Sequence, residues 1–272
     1  MKDSREEWYD PVRRVSVTVV DVTTAAATLA SGHLSGPTAS RFLAEGLAAV
    51  ALIGAETSEK DEVVSIQMKC DGPLGGLNVE CSEGGLLRGY TEKKVLDEFD
   101  GLGKIDPVKV LGRCRYQVTR SVPGRIISQG VSASLDGYLA GSLQRRAALS
   151  VYAEVEEDGR VVAAKGVMVE DMPDAEGDLV SVRLAEIKSI AVSSRRILDG
   201  LGLKNAELKK TSPLSFGCRC SRERIEAVLA ALPEEERRSL PPDATIVCHM
   251  CGRTFVVGPQ AERDGVAPTF SF

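Results

Sequence analysis

Two close pairs of cysteines in the last quarter of the chain limit its fold more than any other feature. A Cys-x-Cys pair occupies 218–220 and a Cys-x-x-Cys pair occupies 248–251, with 27 residues, 221–247, between them. Structural zinc is held by four thiolate or imidazole ligands in a tetrahedron, and a close cysteine pair can supply two of them. The spacing therefore predicts one zinc site, with the ligands Cys218, Cys220, Cys248 and Cys251.

The residues around these pairs are typical of a small metal-binding domain. Residues 245–247 and 254–257 predict two short strands, and Gly252 stands where a tight turn needs a positive φ. Ser221 is a predicted N-cap for a helix whose apolar residues recur at helical spacing over 225–232. A segment this small buries little apolar surface, so we expect a metal to hold it together.

Disulfides and free thiols are the alternative interpretations of the four cysteines. Residues 1–10 are charged and lack the apolar core of a secretory signal, which predicts a cytoplasmic protein. Stable disulfides are rare in that compartment, whereas metal-binding and redox-active cysteines are common there. His249 could replace one cysteine as a ligand, but its place inside a complete Cys-x-x-Cys predicts a solvent-facing residue instead.

Charge and composition exclude some classes of partner. The net charge of −5 disfavours a nucleic-acid binder, which usually has a basic surface. Aromatic residues make up 4% of the chain, too few for the stacking surfaces that bind single strands. No apolar run reaches membrane-spanning length. We therefore expect neither nucleic-acid nor membrane partners.

Alternating apolar residues predict antiparallel strands in the first 173 residues. Residues 63–68 and 77–80 have this pattern on either side of a glycine-rich turn. Residues 149–155 and 161–164 flank Asp158-Gly159, which indicates a hairpin. Three further cysteines lie among strand-like segments; each is interpreted as a small buried hydrophobe without a functional role, namely Cys70, Cys81 and Cys114.

A helix is predicted over 179–199, where apolar residues recur every three or four positions. Ala191 and Ser194 dilute this apolar stripe, so the helix could stay docked or could detach under some condition. The predicted fold class is α+β. We expect an N-terminal core domain of helices and antiparallel sheet at 1–173, a helical linker at 174–214 and a small zinc-binding domain at 215–272.

Signatures of an enzyme fit the chain poorly. The glycine-rich residues 71–76 lack the spacing of a phosphate-binding loop, and His33 and His249 are the only histidines. For His33 a structural role is expected. A thiol oxidoreductase is the better enzyme alternative, because Cys248 and Cys251 have the right spacing; however, such cysteines usually begin a helix, and Cys248 follows a predicted strand. We therefore expect no enzyme activity.

The segment 216–224, Phe-Gly-Cys-Arg-Cys-Ser-Arg-Glu-Arg, resembles the heat-shock-protein-thirty-three family of redox-regulated holdase chaperones. The resemblance continues in 232–235 and in the pair at 248–251. Three upstream segments resemble the core-domain signatures of that family: Asp71-Gly72-Pro73, Arg88-Gly89-Tyr90 and Ile127-Ser128-Gln129-Gly130.

The resemblance implies both a fold and a mechanism. In that family the reduced, zinc-bound form is inactive; oxidation forms disulfides, releases zinc and unfolds the linker and C-terminal region. The exposed apolar surface then binds unfolding client proteins without ATP, and the active form tends to be a homodimer. For this chain, the resemblance implies that the zinc ligands are also the redox switch: Cys218, Cys220, Cys248 and Cys251. As a hypothesis, the disulfides join Cys218 to Cys220 and Cys248 to Cys251.

Two other functions compete with the chaperone. One is a constitutive zinc-ribbon module that binds a protein or, less well supported by the charge, a nucleic acid. The other is the thiol oxidoreductase considered above. Zinc loss with unfolding in peroxide would favour the chaperone, whereas zinc retention in oxidant would favour the inert module.

Overall fold

The computed structural model describes residues 2–54, 59–102, 105–173, 175, 179–187, 190–241 and 243–257. Parts of the predicted linker, at 174, 176–178 and 188–189, lie outside the described residues. So do residues 242 and 258–272 of the predicted zinc-binding domain.

The described residues form three β-sheets. The strands, in chain order, are β1 (Ser4–Asp10), β2 (Val15–Asp21), β3 (Val63–Cys70), β4 (Gly76–Ser82), β5 (Leu86–Thr91), β6 (Cys114–Val122), β7 (Arg125–Ser132), β8 (Arg146–Val155), β9 (Val161–Asp171), β10 (Glu207–Pro213), β11 (Ser215–Phe216), β12 (Thr245–Val247) and β13 (Thr254–Val256).

Helices connect and cover these strands. They are α1 (Thr23–Gly32), α2 (Pro37–Ile53), α3 (Pro107–Leu111), α4 (Leu135–Gly141), α5 (Ser194–Gly200), α6 (Arg222–Ala230) and α7 (Glu234–Arg238), together with 3-10 helices at Glu83–Gly85 and Ser181–Glu186. In the part of the chain that is described, none of the helices has the length and apolar character needed to cross a membrane.

The two large sheets are almost entirely antiparallel. The first has the strand order β10-β1-β2-β9-β8, and the second has the order β11-β5-β4-β3-β6-β7. The short β11 is the exception, since it pairs in parallel with β5. Strands β12 and β13 form a separate hairpin. This architecture confirms the predicted α+β fold class and the strands predicted at 63–68, 77–80, 149–155 and 161–164.

Helix α2 is the centre of the main core. Pro37 occupies its first turn, where the missing N–H of proline costs nothing, and Gly36 is its N-cap. The helix packs on strands of both sheets, including β4, β8 and β9. Because it is covered on several sides, it is apolar around most of its circumference. Its fully buried leucines anchor the largest hydrophobic cluster: Leu43, Leu47 and Leu52.

The prediction of one continuous helix over 179–199 is wrong. The chain instead forms the 3-10 helix at 181–186, turns into extended backbone at Ile187 and begins α5 only at Ser194. The Asp171 carboxylate accepts hydrogen bonds from the backbone N–H groups of Val180 (2.8 Å) and Ser181 (2.9 Å), which sets the start of the first piece. Short pieces can follow the twisted face of a sheet more closely than one straight helix can.

The end of the predicted linker is a strand. β10 pairs antiparallel with β1 and forms an edge of the first sheet. The next strand, β11, lies in the predicted zinc-binding domain but pairs with β5 of the core. The domain boundaries at 173/174 and 214/215 therefore stay predictions, because β10 of the predicted linker and β11 of the predicted zinc-binding domain both belong to sheets of the core.

Candidate metal centre

The structure brings together the four cysteines that the sequence singles out. Their sulfur atoms all lie within 4.8 Å of one another, an arrangement that could hold a metal ion. Two contacts join the pairs: Cys218 Sγ lies 3.8 Å from Cys248 Sγ, and Cys220 Sγ lies 3.5 Å from Cys251 Sγ. The two halves of the segment therefore meet at this cluster, as a shared tetrahedral site requires.

The first pair is positioned by the core sheet on one side and by α6 on the other. The backbone N–H of Gly217 donates to Leu87 O (3.0 Å), which continues the parallel pairing of β11 with β5 up to Cys218. After Cys220, the Ser221 hydroxyl accepts a hydrogen bond from Arg224 N (3.3 Å) and caps α6. This confirms the predicted N-cap at Ser221.

The second pair lies in a tight turn between β12 and β13. Cys248 N donates to Arg253 O (2.8 Å), and Gly252 N donates to Cys248 O (2.8 Å). Gly252 has φ +74°, which confirms the positive φ predicted there. A Cβ at this position would also lie 2.0 Å from Gly32 O, so the close approach to α1 requires glycine as well.

The turn that carries the second pair docks on the core domain. Met250 O accepts a hydrogen bond from Gly89 N of β5 (3.1 Å), and His33 Nε2 lies 2.9 Å from Gly89 O. The His249 ring packs edge-on against Tyr90, with ring centroids 3.9 Å apart. His249 is exposed and outside the sulfur cluster, in agreement with its predicted place. His33 is 4% exposed and supports this docking, in keeping with the structural role expected for it.

Arg88 extends the site beyond the cysteines. Its guanidinium donates to Cys218 Sγ (3.8 Å) and forms a 2.6 Å ion pair with Glu80, which Arg219 also approaches at 3.5 Å. An adjacent cation favours the thiolate form of a cysteine. Strand β5 is therefore linked to the four-cysteine cluster electrostatically through Arg88, in addition to the backbone hydrogen bonds made by Leu87 and Gly89.

The pKa values of Cys218, Cys220 and Cys251 diverge, because a thiolate at Cys218 disfavours negative charge on its neighbours. Hydrogen bonds from Cys248 and Cys251, and then from Arg88, hold the pKa of Cys218 far below its ordinary value. Burial, with the Cys218 thiolate nearby, raises the pKa of Cys220 to about 11. The Cys218 thiolate is also the main cause of the raised pKa of Cys251, which Cys248 and burial increase further. A divalent cation among the sulfurs would remove this repulsion, so the donor set fits a thiolate-bound metal.

Sequence reasoning missed the core residues that receive the turn carrying Cys248 and Cys251. Arg88, Gly89 and Tyr90 stand out in the sequence only as a family-like motif, and nothing in their spacing relates them to residues 130 or more positions later. The signal that could have found them is that motif itself: an arginine beside a glycine in a strand. The three remaining cysteines are not in this cluster; Cys81 is buried, and Cys70 and Cys114 are half-buried.

Comparison with known proteins places the chain in a family. The family model described as "Hsp33 protein" matches residues 10–258. The "33 kDa chaperonin" of Symbiobacterium thermophilum is 30% identical, over 84% of this chain and 85% of that protein. A protein of the same name from Thermus thermophilus is 27% identical, over 86% of this chain and 78% of that protein.

A solved structure has the same fold. The crystal structure of the 33 kDa chaperonin (heat shock protein 33 homolog) from Thermotoga maritima matches with a TM-score of 0.84 at 18% identity, covering 96% of each chain. At that identity the likeness concerns the fold alone. The family model extends over nearly the whole chain, from the end of β1 to just beyond β13. The chain therefore belongs to the Hsp33 protein family.

Proposed function

We propose that this protein is a cytoplasmic, ATP-independent holdase chaperone that is activated by oxidation of its four-cysteine centre, and that it is not an enzyme. The observation that carries the proposal is the position of the four clustered sulfurs, which lie beside the core and follow closely after the linker in the chain. Cys218 follows β10 and β11 directly, and the turn of Cys248 and Cys251 docks on α1 and β5. A chemical change at the sulfurs is therefore coupled to both the core and the linker.

Zinc is the metal we propose for the reduced form. When bound, it would supply a tetrahedral crosslink and no redox chemistry of its own. The segment needs such a crosslink, because Cys251 is the only buried hydrophobic residue among the described residues after Leu214. Structural zinc contributes about 10–16 kcal/mol in small peptides, whereas a whole domain is stable by only about 5–15 kcal/mol. The thiolates of the four cysteines thus decide whether 215–257 stays folded.

Oxidation would take those thiolates away. Each disulfide forms as two thiols give up two protons and two electrons to an oxidant such as a peroxide. The sequence-local disulfides, Cys218 to Cys220 and Cys248 to Cys251, remain the proposed pairing. Since all four sulfurs lie within 4.8 Å of one another, either cysteine of one pair could also reach the other pair. In every pairing the metal ligands are consumed.

The linker is the element that would respond to unfolding of the metal-binding segment. Its last strand, β10, is an edge strand that pairs with β1 alone, and six of its seven residues are exposed. Strands of this kind open at low free energy, because little apolar surface holds them in place. Loss of structure at Cys218 would therefore spread into 207–213.

Release of the linker would expose a valine-rich sheet face. A second hydrophobic cluster consists of one layer from the sheet and one from the linker. The sheet layer comes from β2 and β9: Val15, Val17, Val19, Val167 and Val169. The linker layer covers it: Val180, Leu184, Ile190, Ile197, Leu198, Leu201, Leu203 and Ala206. Separation would expose both layers, and exposed contiguous apolar surface is a binding site for other proteins. We propose this surface for unfolding clients, and for homodimer formation in the oxidised state.

The test is suppression of aggregation of a heat-unfolding client, without nucleotide, by reduced and by peroxide-treated protein. We expect activity only in the oxidised sample, together with release of one zinc per chain. A variant with Ser at Cys218 and Cys220 should lose this dependence on oxidant, whereas Cys81→Ser should keep it, because Cys81 is outside the cluster. Equal activity in both wild-type samples would mean a constitutive chaperone, and activity in neither would exclude the holdase.

A further inference from the structure

Cys70 and Cys114, for which the sequence predicts no role, face each other across two neighbouring strands. Cys70 ends β3 and Cys114 begins β6, and the two are direct partners in the antiparallel register. Side chains that are two positions apart on a strand point to the same face of the sheet. The next pair on the same face is Met68 with Tyr116, which packs at the main core. Both cysteine side chains therefore point to the core side of the sheet.

The backbone hydrogen bonds identify the kind of pair. Asp71 N donates to Arg113 O (3.2 Å), so the adjacent pair, Asp71 with Arg113, is the hydrogen-bonded one. Hydrogen-bonded and non-hydrogen-bonded pairs alternate along an antiparallel ladder. Cys70 accordingly directs its N–H away from Cys114, to Gly75 O (3.1 Å). Residues of a non-hydrogen-bonded pair have Cα atoms about 4.5 Å apart, which lies within the range spanned by disulfides.

Access to solvent distinguishes this pair from the remaining cysteine of the core. Cys70 and Cys114 are half-buried free thiols at the margin of the main hydrophobic cluster. Cys81 is 4% exposed, and its register partners are Val64 and Leu87 rather than a cysteine. Only the first two thus combine partial exposure with a thiol directly opposite.

We propose that Cys70 and Cys114 are a second oxidation site, at which a peroxide forms a disulfide between β3 and β6. One thiolate attacks a peroxide oxygen, which gives a sulfenic acid and, after protonation, releases one water. The second thiol attacks the sulfenic sulfur, forming the S–S bond and releasing a second water. In sum, two thiols lose two electrons and two protons, and one hydrogen peroxide is reduced to two waters.

This second disulfide forms slowly. Burial raises the pKa of both thiols, and the nearby Cys114 raises that of Cys70 further, so the reactive thiolate is scarce near neutral pH. The link would join the strands beside the glycine-rich turn 71–76, in a part of the core separate from the four-cysteine cluster. It would therefore strengthen the core domain under the same oxidant that the proposed function uses to open the C-terminal segment, but it does not depend on that function.

The test is peptide mapping of the full chain after treatment with hydrogen peroxide. Free thiols are blocked with N-ethylmaleimide, and a glutamate-specific protease is used because cleavage after Glu80 separates Cys70 from Cys81. We expect a linked peptide that joins Cys70 to Cys114, two hydrogens lighter than the sum of its reduced halves. Its appearance should lag behind loss of the four cluster thiols. Full alkylation of both cysteines under excess peroxide, or a link from Cys70 to any other cysteine, would overturn the proposal.

Two variants make the result specific. Cys114→Ser should abolish the linked peptide and leave Cys70 open to alkylation or to a sulfenic-acid probe. Cys81→Ser should leave the linked peptide at the wild-type level. Because the primary measurement is made on the unaltered protein, the proposal stays testable even if Cys114→Ser folds poorly. The same samples, assayed for client binding, separate this disulfide from the proposed chaperone function. Client binding without the linked peptide means that the disulfide proposal fails, and the linked peptide without client binding means that the chaperone proposal fails.

Discussion

Arg88 is a side chain of the core that hydrogen-bonds directly to the four-cysteine cluster. It donates to Cys218 Sγ at 3.8 Å and is itself held by Glu80 at 2.6 Å. Groups that hydrogen-bond to metal ligands fix their orientation and their charge, and losing one typically costs 10- to 100-fold in metal affinity. The arginine and its carboxylate partner thus belong to the site, although both are supplied by strands of the core.

Replacement of Arg88 should weaken metal binding without unfolding the core. For Arg88→Ala we expect zinc affinity to fall by about tenfold, because the Cys218 thiolate loses a cationic donor. Competition with a chromogenic chelator measures this. Arg160→Ala is the matched control, since that arginine pairs with Glu156 on the hairpin between β8 and β9. If the two variants bind zinc alike, Arg88 has no part in the site.

Gly252 and Gly84 have nearly the same backbone φ but different surroundings, so their alanine variants can be compared. Gly252 has φ +74° and Gly84 has φ +78°, but a Cβ on Gly252 would lie 2.0 Å from Gly32 O, whereas a Cβ on Gly84 meets nothing within 4 Å. Both alanine variants should lose about 1–2 kcal/mol of folding stability, because alanine disfavours the left-handed backbone conformation. Only Gly252→Ala should also displace the turn that carries Cys248 and Cys251 from α1.

We expect Gly252→Ala to lower the peroxide dose that gives half-maximal holdase activity, with Gly84→Ala close to wild type. A dose titration of client aggregation measures both. Equal doses for the two variants would mean that docking of the turn on α1 does not restrain the switch.

At the scale of elements, the linker depends on Asp171. Its carboxylate, 3% exposed, accepts hydrogen bonds from Val180 N and Ser181 N and so holds the first linker turn against the end of β9. A hydrogen bond to a charged group contributes about 1.5–3 kcal/mol. The linker is therefore fastened at its beginning by this carboxylate and at its end by β10.

Asp171→Ala should loosen the linker even in reduced protein. We expect faster proteolysis within 181–213 and a partial gain of holdase activity before any oxidant is added. Limited proteolysis with mass spectrometry detects the cut sites. Asp106→Ala is the control, because that aspartate also accepts a backbone hydrogen bond, from Val108 N at 3.0 Å, but caps α3 instead. Unchanged proteolysis of 181–213 in Asp171→Ala would contradict this role.

The linker also shows where sequence patterns stop being informative. The periodicity places Val180, Leu184 and Leu198 on one apolar side, and all three are buried. A spacing of three or four residues does not distinguish one helix from short turns laid on a sheet. β10 gives no signal in the sequence, because an exposed edge strand carries no alternation of apolar and polar residues.

For the whole molecule, the sequence patterns that predicted structure reliably were the local ones. The two cysteine pairs, the Ser221 cap, the positive φ at Gly252 and the strand hairpins follow from residues within a few positions of one another, and the structure contains each of these features. Apart from the meeting of the two cysteine pairs, the long-range contacts did not follow from the sequence. The pairing of β11 with β5, which places Arg88 beside Cys218, is decided by packing of the complete sheet. The facing of Cys70 and Cys114 depends likewise on the register of β3 and β6.

The central claim is that a change at the four cysteines is transmitted to the linker, which then exposes the valine face of β2 and β9. Hydrogen–deuterium exchange with mass spectrometry, on the reduced zinc-bound and the peroxide-treated protein, tests it most directly. We predict that oxidation removes protection over both 215–257 and 194–213, while β3 and α2 stay protected. Loss of protection confined to 215–257, with 194–213 protected equally in both samples, would contradict the claim.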